Sequence, residues 1–161
     1  MFNKRTLVTQ IISSLTELLA IAKEGAENAH AGAINEQSVA ETQYDTLGLE
    51  SAYLAEGLGR RVVMYQQEIQ AYQQLVLREF DHDTPIRIGA YIVISNDEGN
   101  ERHLFFGPCS GGLTIVHNHN KLSVITAESP LGRALLDKQS DDEATLTVAG
   151  QPQRWYIDTV C

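Results

Sequence analysis

His117 and His119, with His103 and Cys109 nearby in the sequence, are of types that hold metals or move protons. A structural zinc centre needs four nitrogen or sulfur donors, and the pattern His117-Asn118-His119-Asn120 lacks a well-spaced fourth. It reads instead as a solvated turn. Cys109 lies beside Gly-rich sequence, without the His and Asp arrangement that would turn its thiol into a nucleophile. Gly111-Gly112 does not match a loop that cradles phosphate and reads as a hairpin connection. No motif of a self-sufficient enzyme emerges from these residues.

Two further groups of charges depend on the elements that carry them. Asp45 and Glu50 stand five positions apart in the stretch Gln43-Tyr44-Asp45-Thr46-Leu47-Gly48-Leu49-Glu50-Ser51, and Arg60-Arg61 is a basic pair in an acidic chain. Asp45 or Thr46 can serve as a helix cap, and Gly48 loosens the chain beside them. Glu56, four residues before Arg60, supplies the ordinary helix-face partner, with contact to an acidic surface as the alternative. Leu47, Leu49 and Leu54 are apolar residues with no obvious core nearby, which suggests a partner.

The elements around this stretch are two helices. From Thr6 to Thr42 there is no proline, and Leu7, Ile11, Leu15, Leu18, Ala22, Ala26, Ala29 and Ala33 recur at helical spacing. From Leu49 to Leu77 the second run places Leu58, Val62, Tyr65, Ile69, Tyr72 and Val76 in alternating steps of four and three. Large side chains of the second run match small ones of the first if the chain reverses near Asp45-Thr46, so that Leu58 faces Ala33 and Val62 faces Ala29. The reading is an antiparallel coiled-coil hairpin whose first helix is about 55 Å long. The same heptads could instead be satisfied between chains, as a dimerising coiled coil.

Phe80-Asp81-His82-Asp83-Thr84-Pro85 ends the helical pattern. Short β-rich runs follow: Ile86–Ser95, Arg102–Phe106, Leu113–His117, Leu122–Thr126, Ala144–Val148 and Trp155–Val160, the last two flanking a turn at Gly150-Gln151-Pro152. They predict a compact, largely antiparallel sheet. Ser129-Pro130-Leu131-Gly132-Arg133-Ala134-Leu135-Leu136 predicts one short helix, with Ser129 at the N-cap, Pro130 at the first position, and Leu131, Ala134 and Leu135 facing the sheet. The fold class is α+β, with residues 1–80 as the helical finger and 81–161 as the sheet domain.

Composition narrows the function. The 161 residues carry a net charge of -9, with six basic against ten acidic residues in 1–80 and six against eleven in 81–161. Neither half can hold nucleic acid by neutralising phosphates, so any such role runs through a partner. Two cysteines and an N-terminus unlike a signal peptide point to a reducing cytoplasmic compartment. No apolar run is expected to reach the roughly 18 residues of a membrane span.

Ser129-Pro130-Leu131-Gly132-Arg133-Ala134-Leu135-Leu136, then Asp141-Asp142-Glu143 and Trp155-Tyr156-Ile157, resembles the C-terminal domain of the bacterial Gre transcript-cleavage factors (GreA/GreB). That family's motif reads S-P-L-G-x-A-L-L-G-K, then G-D, then a Y-x-I-x-x-I strand. A coiled-coil finger before an FKBP-like domain is also the Gre architecture, so the resemblance spans nearly the whole chain. It implies a transcription elongation factor that binds RNA polymerase and inserts the finger into the secondary channel. There, two tip acids help hold a Mg2+ of the polymerase and orient the water that cleaves backtracked RNA. By this resemblance Asp45 and Glu50 are the catalytic and metal-holding acids. Leu47, Leu49, Arg60, Arg61, Ser129, Pro130, Leu131 and Gly132 are the partner-binding residues. The chain would be no enzyme and hold no cofactor of its own, acting at most on the polymerase's cleavage activity and meeting nucleic acid only through the polymerase.

The family's tip, D-L-x-E-N-A-E-Y, has its acids three apart; here Asp45 and Glu50 are five apart. Metal ligation tolerates shifts of tenths of an ångström, and two extra positions move a carboxylate by several. The alternative is therefore a non-cleaving regulator that occupies the channel and competes with true Gre factors. Glu27-Asn28-Ala29-His30-Ala31 imitates the family's tip more closely but falls inside the first seam, which places it within a continuous helix.

Overall fold

The computed structural model describes residues 3–39 and 46–161, except the side chains of residues 35–39 and 46–47. The elements run α1 (Lys4–Val39), α2 (Thr46–Gln73), β1 (Tyr91–Ser95), β2 (Glu101–Phe106), β3 (Thr114–His117), β4 (Asn120–Ile125), α3 (Pro130–Leu135), β5 (Glu143–Val148) and β6 (Gln151–Val160). This is an α+β chain: two long helices, then a mixed six-stranded sheet with one short helix.

Two compact units divide the chain, Ile12–Gln70 and a second made of Met1–Ile11 with Ala71–Cys161. A single boundary at 80/81 was the expectation; the roots of both helices belong with the sheet instead. Leu7, Ile11 and Tyr72 are buried, and the Tyr72 hydroxyl donates to the Cys109 carbonyl at 2.8 Å. Asn3 caps α1, its Oδ1 accepting from the backbone of Arg5 and Thr6.

In the helical unit α1 and α2 run antiparallel, with Gly25 against Leu58 and Gly32 against Ser51. The expected pairing of Leu58 with Ala33 is thus displaced by eight positions along α1. α1 runs to Val39 and α2 begins at Thr46, so Thr46–Ser51, expected as part of the turn, is the start of a helix, while Asp45 lies outside the described residues. The matching of large to small survives, with Gly25 as the small partner. The Glu27–Ala31 stretch lies inside α1.

The second seam ends sooner than its spacing suggests. α2 stops at Gln73, the Leu75 amide turns back to the Tyr72 carbonyl, and Val76 is 74% exposed. One helical segment, Lys4–Ile34, is long and apolar enough to cross a membrane by length and composition, contrary to expectation. Its buried members Leu7, Ile11, Leu15, Ala22, Ala29 and Ala33 are those of the seam, so packing against protein accounts for them.

The sheet has the order β3-β4-β2-β1-β6-β5, with every neighbouring pair antiparallel except β2 with β4. Residues 86–90 are not strand: Ile86 exchanges backbone bonds with Asp137 and Lys138, and Gly89 has φ of 94°. The β5–β6 turn is Ala149-Gly150, both at positive φ, rather than Gly150–Pro152. Pro152 pairs with Thr147 beyond the reach of β1, where its missing N–H deprives no ladder.

Alternation divides the sheet into two faces. Ile92, Ile94, Leu104, Phe106, Ile125, Trp155 and Ile157 join Leu135 of α3 in one core. In the β2–β4 register His103 stands beside Leu122 and Phe105 beside Val124, on the opposite face.

Candidate partner-binding surfaces

The α3 motif is built from its first residue. The Ser129 hydroxyl donates to the Thr126 carbonyl at 2.9 Å and accepts from the Gly132 amide at 3.0 Å, closing the helix start. Pro130 occupies the first turn, where no N–H is needed. A Cβ on Gly132 would stand 1.8 Å from the Thr126 carbonyl oxygen, so only glycine fits. Leu135 is fully buried, and Leu131 and Ala134 pack against the core, as the spacing predicts.

Beside this helix lies a cleft of roughly 830 Å³, lined by Arg102, Leu104, Lys121, Ser123, Ile125, Leu146 and Val148 together with Ser129, Pro130 and Leu131. Its floor is apolar and its exposed charges are Arg102, Lys121 and Glu101. The Arg102 guanidinium lies 4.5 Å over the Trp155 ring, held there by the ring's negative face. Gly132 is buried beneath the cleft, so it shapes the surface while Pro130 is presented on it.

At the other candidate surface Glu50 is exposed on α2, four positions past its first residue. Asp45 lies outside the described residues, as does the side chain of Leu47. Of the apolar residues expected to meet a partner, Leu49 and Leu54 are 54% and 58% exposed, and neighbouring Tyr53 is 64% exposed. Arg60 pairs with Glu56 at 3.3 Å across one helical turn, and Arg61 is exposed.

The histidines separate into different roles. Asn118 and His119, both at positive φ, form the two-residue turn joining β3 to β4. His117, expected in a solvated turn, is buried, and its Nδ1 meets Gln10 Oε1 of α1. His103 Nε2 faces the Glu101 carboxylate at 2.6 Å, leaving Nδ1 to accept from the Tyr91 hydroxyl at 2.5 Å. Burial pushes the Tyr91 phenol above its ordinary range, which keeps it a donor. Among the described residues no group of three or more His, Cys, Asp or Glu side chains could hold a metal ion. The Tyr91–His103–Glu101 chain escaped the sequence reading. Its only signal was the alternation of Glu101 and His103 on one strand face.

Lys4 is likewise buried where sequence offered no hint. Its ammonium donates to the Arg78 carbonyl and lies 4.7 Å over the Phe80 ring. Burial lowers its pKa, opposed by Glu79 and Cys161.

No family model matches this chain, and no curated protein does. Among solved structures it is similar to the GreA factor homolog 1 (Gfh1) protein of Thermus thermophilus, at 15% identity over 93% of this chain and 94% of that one, with a TM-score of 0.38. Thermus aquaticus Gfh1 gives 18% identity, 92% coverage of both chains and a TM-score of 0.40. A prokaryotic transcription elongation factor GreA/GreB from Nitrosomonas europaea gives 14% identity over 69% of this chain and 90% of that one, with a TM-score of 0.35. Nothing about partner or activity follows from likenesses this distant.

Proposed function

We propose that this chain is a cytoplasmic RNA polymerase-binding factor of the Gre type, its helical pair entering the secondary channel and its α3 cleft docking on the enzyme. The observation that carries this reading is the S-P-L-G motif. Ser129 caps the helix and Gly132 is the only residue that fits beneath it, and together they position Pro130 and Leu131 on a largely apolar cleft whose rim carries Arg102, Lys121 and Glu101. A motif with that much steric definition is a more specific resemblance than its eight letters alone suggest. The exposed Leu49 and Arg61 are the second contact region.

Of the two modes of action, channel occupancy without cleavage has a specific observation in its favour. Glu50 sits one full turn inside α2. The tip acids of the Gre pattern stand three positions apart in sequence, whereas Asp45 and Glu50 stand five apart. Two carboxylates so divided are poor joint ligands for one Mg2+ of the polymerase.

The test puts the protein on stalled, backtracked elongation complexes and follows RNA shortening, with Asp45→Ala and Glu50→Ala in parallel. Shortening lost in both variants supports transcript cleavage. Retained polymerase binding without shortening supports the non-cleaving regulator. Absence of binding overturns both.

A further inference from the structure

Seven of the eleven large apolar side chains exposed among the described residues belong to the helical unit Ile12–Gln70, although it is the smaller of the two. A two-helix pair can bury only one stripe of each helix, and α2 carries two. Its inner stripe includes Leu58, Val62, Tyr65 and Ile69, all half-buried. The outer stripe is Leu49, Tyr53, Glu56, Arg60, Val63 and Gln67, in steps of four, three, four, three and four, all exposed. The two are displaced by two positions, about 200° around the helix. The outer stripe is therefore a second heptad line on the side of α2 opposite Leu58, with Glu56 at its edge also lining a groove with Ala26, Glu27 and His30 of α1.

This seam is its own complement. Its spacing is palindromic about position 58: Tyr53 maps onto Val63, Glu56 onto Arg60, and Leu49 onto Gln67. An antiparallel copy would set apolar Tyr53 against apolar Val63 and acid Glu56 against base Arg60, twice each. Close approach at the crossing is unobstructed, because Gly57 and Gly59 have no atom within 4 Å of where a Cβ would stand. Within one chain nothing calls for those two glycines, each of which weakens a helix interior.

We propose that a second copy of this chain packs antiparallel on this outer seam, with the two-fold axis beside position 58. Such a contact is isologous, with the same patch serving both copies. It does not rest on the polymerase reading. It does cover Leu49 and Arg60, so a dimer and a complex that used those residues would exclude each other.

Sedimentation equilibrium with charge reversals tests it. The wild-type protein is expected at twice the chain mass at submillimolar concentration. Arg60→Glu and Glu56→Arg, each of which sets like charges face to face, are expected at the chain mass, with circular dichroism confirming unchanged helix content. An equimolar mixture of these two variants restores every Glu–Arg pairing and is expected to return to the doubled mass, as is the double swap. Wild-type protein at the single mass, a dimeric Arg60→Glu variant, or a mixture that stays monomeric overturns the proposal.

Discussion

Gly25 of α1 lies so close to Leu58 of α2 that a Cβ at position 25 would stand 3.0 Å from Leu58 Cδ1. This contact fixes the helix register, because a larger residue at 25 would force Leu58 out of the seam. Gly25→Leu is expected to cost about 1–3 kcal/mol, read as a fall in the thermal midpoint of the helical circular dichroism signal. Gly59→Ala, with nothing nearby, is expected to gain up to about 1 kcal/mol by the same measurement.

Gly132→Ala sets a methyl group against the Thr126 backbone oxygen, which cannot yield as a flexible side chain would. A loss of about 3 kcal/mol or more is expected in urea unfolding followed by Trp155 fluorescence. Ser129→Ala removes only the cap and is expected to cost about 1 kcal/mol. Equal losses from the two variants would contradict this account of the motif.

Tyr72→Phe deletes the hydroxyl that donates to the Cys109 carbonyl and leaves the ring in place. The expected loss is about 1 kcal/mol by the same unfolding measurement. Gly107→Ala is expected to be far worse, since its Cβ would stand 2.4 Å from the Tyr72 hydroxyl oxygen and 2.9 Å from Val124 Cγ1.

His82 bridges Asp83 at 3.0 Å and Asp141 at 2.8 Å, and its pKa is raised above 6.5, first by the bond to Asp83 and then by Asp141. A raised folded-state pKa means the folded chain binds the proton more tightly than the unfolded chain. The stabilisation is present in full below pH 6.5 and is lost as pH rises through the raised value. A proton NMR titration of His82 should give a midpoint above 6.5, and Asp83→Asn and Asp141→Asn should each lower it. A midpoint unmoved by either variant would show that the carboxylates do not hold the ring.

The parts of this fold legible in the sequence are those with local causes. Ser129, Pro130 and Gly132 specify a helix start within four residues, and the observed cap matches the expectation. The six β-rich runs all yielded strands, because alternation is a property of neighbours in the chain. What escaped depended on distance. Leu58 pairs with Gly25 rather than Ala33, and heptads fit almost as well when slid by two turns. The burial of His117 requires Gln10, more than a hundred positions away. The candidate site divides in the same way: the cleft follows from a short motif, whereas the exposure of Glu50 one turn inside α2 depends on where that helix starts.

The parallel pairing of β2 with β4 brings the ends of two strands out on the same side of the sheet. From one leaves the segment whose Cys109 carbonyl accepts from Tyr72, and from the other the Thr126 turn that seats Ser129. A Cβ on Gly111 would lie 3.3 Å from the Thr126 side chain, so the two segments touch. The amides of residues 107–113 and 126–132 should therefore exchange with deuterium as one cooperative unit, slowing and quickening together. The last turn of α2 and the first turn of α3 are thus joined through these two segments, and Tyr72→Phe is expected to speed exchange at residues 126–132 as well as at 107–113.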